Sequence, residues 1–264
     1  MSRIFLVAAA AASLFGSPAF AQTSPTLSGF YLGLDGAALD HSGRQDVTVN
    51  DPLRSLSSQG QNADQSVLFA NSVGKSGAVA AAGVHLLYQQ QFGSLVAGGL
   101  IDFLAAGGSK HATESRVLHD PTQAFPDYTG TTNGTVKTRW VSTARARLGY
   151  ALDRLLPYVD GGFVAVRSNA ASDFTISDTG NPPSDFYTGS RSRVTHGYAV
   201  GAGLQYVASN HISLGADYMY YRAGAIDYRT RPDAFTAGDQ PSVSQSLHYK
   251  VHGNVIRASV EYKF

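Results

Sequence analysis

The sequence predicts an all-β chain: an eight-stranded antiparallel up-and-down transmembrane β-barrel with short periplasmic turns and long extracellular loops. Three observations carry this expectation. Eight segments alternate apolar and polar residues with period two. Their connections alternate strictly between tight and long. The apolar faces carry aromatic residues at both margins, as a surface meeting lipid and two water interfaces should.

The segments run near Gly29–Leu39, Lys75–Gln90, Leu95–Gly107, Thr135–Leu152, Pro157–Asn169, Arg191–Val207, His211–Ala223 and Leu247–Phe264. After the second, fourth and sixth, the connections are tight: "FGS" at Phe92–Ser94, "DRLL" at Asp153–Leu156 and "ASN" at Ala208–Asn210. After the first, third, fifth and seventh they are polar and roughly 20 to 35 residues long, well beyond ordinary hairpin loops. Examples are the stretches that start at His41 and at Arg229. All long connections therefore fall at one end of the barrel.

The two ends of the chain fit the same picture. Arg3 precedes an apolar run from Ile4 to Phe15, followed by Ala19-Phe20-Ala21, the order of a cleaved secretory signal. The expected division is a signal peptide over residues 1–21 and a barrel domain over residues 22–264. The apolar run is too short for a membrane helix, which needs about 20 residues. At the other end Ile256, Ala258, Val260, Tyr262 and Phe264 share one face of the last strand. Arg257, Ser259, Glu261 and Lys263 share the other.

Composition narrows the function classes. The chain has 20 Lys and Arg against 19 Asp and Glu. Removal of Arg3 with the signal leaves 19 of each, so the overall charge balance suggests neither a nucleic-acid partner nor an anionic membrane surface. With 0 Cys the exported chain can form neither a disulfide nor a thiolate metal site. No cofactor is expected.

The faces can be assigned from what each would have to accommodate. An eight-stranded barrel has an interior just wide enough for side chains. The aromatics Phe30, Tyr88, Tyr150, Tyr206, Tyr262 and Phe264 lie toward the turn side, and Trp140, Tyr198 and Tyr220 lie higher, all on the apolar faces. The opposite faces carry Gly33, Gly83, Gly98, Gly149, Gly201 and Gly215, which make room for large polar groups. Apolar faces are therefore read as outward. Alternation then points Asp35, His85, Asp102, Arg139, Arg145, Arg147, Asp160, Arg193, Asp217, Arg257 and Glu261 into the lumen. Their signs nearly balance, so they are expected to pair into a structural plug, since buried charges must be paired. The turn at Asp153–Leu156 places Asp160 near the level of Arg147. An ion pathway is the competing reading of the same residues.

Other candidates are weaker. His248, His252 and Asn254 share one face, but on a strand the two imidazoles stand about 13 Å apart, too far for one metal ion. The glycines at Gly107–Lys110 lack the spacing of a phosphate loop and no helix follows them.

The ending Tyr262-x-Phe264 resembles the C-terminal assembly signal of outer-membrane proteins of Gram-negative bacteria. "GFYLGLDGA" from Gly29 and "WVSTARARLGYALDRLLPYVDGGFV" over Trp140–Val164 resemble small porin-like barrels of the opacity and surface-antigen type common in alphaproteobacteria, with the general build of the OmpA transmembrane domain. The resemblance implies an outer-membrane location, contact with lipid and lipopolysaccharide, insertion by the barrel assembly machinery, and no catalytic residues. Envelope integrity and loop display toward host or surface ligands are the expected roles. The alternatives are a small-solute porin or channel and a lipid A-modifying hydrolase; a soluble lipocalin-like carrier ranks below both.

Overall fold

The computed structural model describes residues 26–40, 43–50, 72–75, 77–118, 127–178, 185–233, 236 and 244–264. The expected signal segment and the loop residues His41 and His119 lie outside them. Among the described residues eleven strands follow in chain order: β1 (Gly29–Asp40), β2 (Gly43–Asn50), β3 (Ser72–Lys75), β4 (Ala78–Phe92), β5 (Leu95–Gly107), β6 (Lys110–Leu118), β7 (Tyr128–Tyr150), β8 (Leu155–Asp178), β9 (Asp185–Val207), β10 (Ile212–Pro232) and β11 (Ser244–Lys263).

Eight of these form an antiparallel ring in the order β1, β4, β5, β7, β8, β9, β10, β11. The ring is closed by β1 against β11, from Tyr31 opposite Lys263 to Asp40 opposite Asn254. The eight segments expected from alternation are these eight strands. The tight turns are also where the sequence places them. Gly93 has φ 63° and Asp153 has φ 55°, left-handed positions that glycine adopts freely and aspartate tolerates.

The long polar connections need correction. The one after β1 contains β2, which pairs with the upper part of β11, and β3, which pairs with β2. The one after β5 contains β6, which lies against β7. The other two are largely strand: β8 and β9 continue pairing up to Ile176 opposite Asp185, and β10 and β11 up to Thr230 opposite Gln245. The reason lies inside the barrel. Above the membrane the inward residues become apolar, with Val164, Val166, Ala170, Phe174 and Ile176 of β8 all buried. The charged Arg167 and Asp173 of β8 meanwhile occupy the outer face, while Ser168 and Ser172 are buried with the apolar residues. Burial of that inward stripe favours continued strand over open loop.

The register also defines the barrel's geometry. Hydrogen-bonded neighbours can be followed from Tyr262 through Leu32, Leu86, Ile101, Ala144, Phe163, Tyr198 and Arg222 back to β11 at His252. One circuit thus climbs ten residues along β11, between residues 262 and 252. Such a stagger in an eight-stranded ring goes with strand tilts of about 40° and a lumen that side chains can fill.

Around the lower part of the ring the outward residues are bulky and exposed, among them Leu34, Ile101, Leu148, Val159, Leu204, Leu214 and Val260. A transmembrane strand needs only about 9 to 11 residues. The 23 residues of β7 and 24 of β8 therefore extend well beyond the bilayer.

Ring closure can be tested at Ala258, which pairs with Gly36 of β1 and with Ala216 of β10. Its N–H must serve one of those neighbours, so Ala258→Pro removes a ladder bond where no water can replace it. The refolded wild type should migrate differently on a detergent gel before and after heating. Ala258→Pro should show only the unfolded band.

Candidate functional site

Every ring strand contributes to a polar belt across the lumen: Asp35 from β1, His85 from β4, Asp102 from β5, Arg145 and Arg147 from β7, Asp160 from β8, Gln205 from β9, Asp217 from β10, and Arg257 and Glu261 from β11. All are buried.

Asp102 is the hub. Its Oδ2 accepts from Arg145 Nη2 at 2.8 Å, Arg257 Nη1 at 3.1 Å and Thr143 Oγ1 at 2.8 Å. Its Oδ1 accepts from the Thr143 amide at 3.0 Å. Arg145 reaches on to Asp160, Nη1 to Oδ1 at 2.6 Å, and Arg257 donates from Nε to Asp217 Oδ1 at 2.6 Å. Arg257 also lies 3.7 Å from Asp35. Toward the turns His85 stands between two carboxylates, with Nδ1 2.8 Å from Asp35 and Nε2 3.3 Å from Glu261. Gln205 donates to Glu261 and accepts from Gln89 at 3.1 Å.

Backbone space is part of the design. A Cβ on Gly33 would stand 2.1 Å from the His85 ring, and one on Gly201 would stand 2.7 Å from Asp160 Oδ1. Both glycines clear the room that the sequence suggested for such positions.

Two residues that alternation pointed into the lumen are not in the belt. Arg139 is exposed on the outer wall. The register of β7 against β8 shifts between Thr138 and Trp140, and this bulge inverts the faces above it, so that Val136 and Thr138 turn inward. Arg193 keeps the register of the inward face, opposite the buried Ser168, yet its side chain is exposed. It stands above the belt, where the buried side chains of β8 and β9 are apolar or carry hydroxyls, and a long charged side chain there is more stable with its head in water. The expected pairing of Asp160 also changes. It stands opposite Arg147 in register, but its close partner is Arg145, while Arg147 Nη2 is 3.8 Å away. The Arg147 guanidinium lies over the Tyr158 ring, 3.6 Å from its centroid.

Apolar layers bound the belt on both sides. Below it lie Leu27, Val96, Leu156 and Val207, with Tyr31, Leu87 and Leu100 between. Above it a larger core includes Leu39, Leu104, Val141, Val164, Met219, Tyr221, Tyr249 and Val255. Neither layer was expected. The upper one is visible in the sequence once the inward stripe is followed past the charges, as at Met219 and Tyr221 after Asp217. The lower one depends on Leu27, which precedes the first strand and is held by the Tyr31 hydroxyl donating to its carbonyl at 2.8 Å.

On the outer wall Phe30 and Tyr88 pack at 4.7 Å, and Tyr262 and Phe264 meet edge to face at 5.3 Å, all near the turns. Tyr150 and Tyr198 are exposed, while Trp140, Tyr206 and Tyr220 are partly covered. Trp140 packs against Phe103 at 5.8 Å.

Residues 7–264 match the outer membrane protein beta-barrel domain family. The chain belongs to that family. It is similar to the 31 kDa outer-membrane immunogenic protein of Brucella melitensis, 30% identical over 129 residues that cover 48% of this chain and 47% of that protein. It is also similar to a 22 kDa outer membrane protein of Rhizobium leguminosarum, 29% identical over 115 residues covering 43% and 48%. The chain thus spans about half the length of the curated relatives it matches. Among solved structures, OprG of Pseudomonas aeruginosa matches with a TM-score of 0.44 at 13% identity, covering 92% of this chain and 99% of that one. Membership of the outer-membrane barrel family implies a lipid and lipopolysaccharide environment.

The belt's pairing makes a quantitative prediction. Asp160→Ala leaves Arg145 short of a partner in a buried site, which typically costs about 3 to 5 kcal/mol. Adding a neutral residue at Arg145 should recover more of that loss than adding one at Arg147. Urea unfolding of the refolded barrel, carried through both double-mutant cycles, measures the difference.

Proposed function

We propose that this barrel is a structural and surface-display protein of the outer membrane whose lumen is closed. One observation carries the reading: a belt of paired charges spans the lumen between two apolar layers. An ion crossing it would have to break the Asp102 hub and then enter a packed layer that is mostly apolar, with only scattered hydroxyls such as Thr138, Ser168 and Thr195 to replace its water. The strand extensions present a polar outer face beyond the bilayer, and the Brucella relative is named for its immunogenicity, which suits exposure at the cell surface. The belt's hydroxyls that meet carboxylates, Thr143 at Asp102 and Ser259 at Glu261, are buried inside the barrel away from any substrate, so the reading is non-enzymatic. The refolded protein in a planar bilayer should therefore show no steady conductance. An Asp102→Ala/Arg257→Ala variant should admit brief openings at most, because the apolar layers remain. Stable, ion-selective channels in the wild type would replace this reading with that of a small-solute pore.

The same reading includes export by a signal peptide cleaved before Gln22. It also assigns recognition by the barrel assembly machinery to Tyr262 and Phe264. Phe264 is exposed and contributes one amide bond to the carbonyl of Phe30, at 3.1 Å, so the folded barrel depends on it little. Deleting it should lower the amount of assembled barrel in the outer membrane several-fold while leaving the unfolding midpoint of inserted molecules nearly unchanged. Equal amounts of assembled wild type and deletion variant would refute that role.

A further inference from the structure

The outer wall of β10 and β11 carries a basic groove. The register of this pair jumps from Arg222 opposite His252 to Ala225 opposite Lys250, so Ala223 and Gly224 form a bulge. The bulge opens a cavity of about 420 Å³ lined by Tyr220, Arg222, Gly224, His248, Lys250 and His252. These side chains face outward, since the intervening Tyr221, Tyr249 and Val251 are buried inside the barrel.

The groove's height gives it meaning. His252 stands ten residues above Tyr262 on β11, and Arg222 lies beside it in register. At about 3.3 Å per residue and a tilt of about 40°, that is about 25 Å along the membrane normal, the height of a barrel's apolar band. Tyr262 belongs to the aromatic ring near the turns, so the groove opens at the headgroups of the outer leaflet. Below Asn254, which accepts from the Tyr218 hydroxyl at 2.6 Å, the wall is apolar and exposed, formed by the Tyr218 ring and Leu214 of β10 and Ile256 and Val260 of β11.

We propose that this groove binds a phosphate of the lipid A headgroup, with the acyl chains lying on the apolar wall below. Arg222 supplies a planar fork suited to phosphate, Lys250 a point charge, and His252 and Tyr220 further donors. Arg222 and His252 form no ion pair among the described residues. Lys250 lies 3.4 Å from Asp46, with both side chains exposed, and His248 lies 2.6 Å from Asp227. Both of these acids come from the upper side of the groove, leaving its membrane side basic. The basic surface continues around the wall in Arg167 of β8, which stands opposite Trp140, and in Arg139, turned outward by the β7 bulge. Among the described residues the exposed carboxylate of β7–β10 nearest this height is Asp227, opposite His248 at the groove's upper edge. Asp40 of β1 is held by Lys110 at 3.1 Å. A soluble polyanion would use the charges but not the apolar wall; a phosphorylated lipid uses both. The proposal rests on the barrel's seat in the outer membrane and holds whether or not the lumen conducts.

The test uses the full mature chain refolded in neutral detergent, with bound lipid counted by native mass spectrometry. Bisphosphorylated lipid A and its dephosphorylated form, with identical acyl chains, are compared. The wild type should bind the phosphorylated form about tenfold more tightly or better, the size expected for one or two charge-assisted hydrogen bonds. Arg222→Gln/Lys250→Gln should abolish that preference while leaving the dephosphorylated lipid bound as before. Arg229→Gln/Arg231→Gln removes the same charge from the upper part of β10, away from the groove, and should behave as wild type. The heat-dependent gel shift confirms that each variant is folded. If the double variant fails that check, Lys250→Gln alone should show a smaller loss in the same direction. Equal binding of both lipids by the wild type, or equal losses in groove and control variants, would overturn the proposal. So would displacement of bound lipid A by a soluble sulfated polysaccharide.

Discussion

Hydrocarbon offers no partner to a peptide group, so every backbone N–H and C=O within the bilayer must find one in the sheet itself. This constraint governs the rest of the structure. It requires β1 to meet β11, leaving no free edge in the ring. Closure with a ten-residue climb per circuit then sets how wide the lumen can be. In a lumen of that width, side chains from opposite walls touch. Arg257 of β11 can therefore bond Asp102 of β5 and Asp217 of β10 at once.

That narrowness explains why the charges form a network rather than a lined passage. Asp102, without solvent, is satisfied by two guanidiniums, a hydroxyl and an amide. Asp160 and Asp217 in turn give Arg145 and Arg257 a second anchor. The arrangement is demanding: a missing partner leaves a charge with neither water nor counter-ion. Arg147 is the least complete member, and the face of Tyr158 takes up its guanidinium where a second carboxylate is lacking.

A second organising feature is the exchange of polarity at the outer interface. Along β11 the outward residues run from Phe264 and Tyr262 through Ile256 to Asn254, His252 and Lys250. The inward ones run from Glu261 and Arg257 to Val255, Val251 and Tyr249. Below the exchange the barrel is apolar outside and charged inside, because lipid surrounds it. Above, it has the pattern of a water-soluble barrel. The basic groove at Arg222 and His252 lies at the exchange itself, where apolar wall and headgroup meet.

Much of this was legible in the chain alone. Period-two alternation and the contrast between tight and long connections determined eight ring strands, their turns and the outward aromatic faces, because those patterns are local. Nine of the eleven charges assigned to the lumen are buried there, since strand parity carries through wherever the ladder is regular. What parity could not supply was any break in the ladder. The bulge at Arg139 depends on how β7 lies against β8, and the bulge after Arg222 on how β10 lies against β11. The strand extensions were hidden because their outer faces are as polar as loops. Only the closed barrel, by enclosing Phe174, Ile176 and Tyr249, gives those segments an interior. Partner choice was likewise a tertiary matter. Register set Asp160 opposite Arg147, but which guanidinium reaches it depends on side chains converging from several strands, and that convergence exists only once the ring has closed.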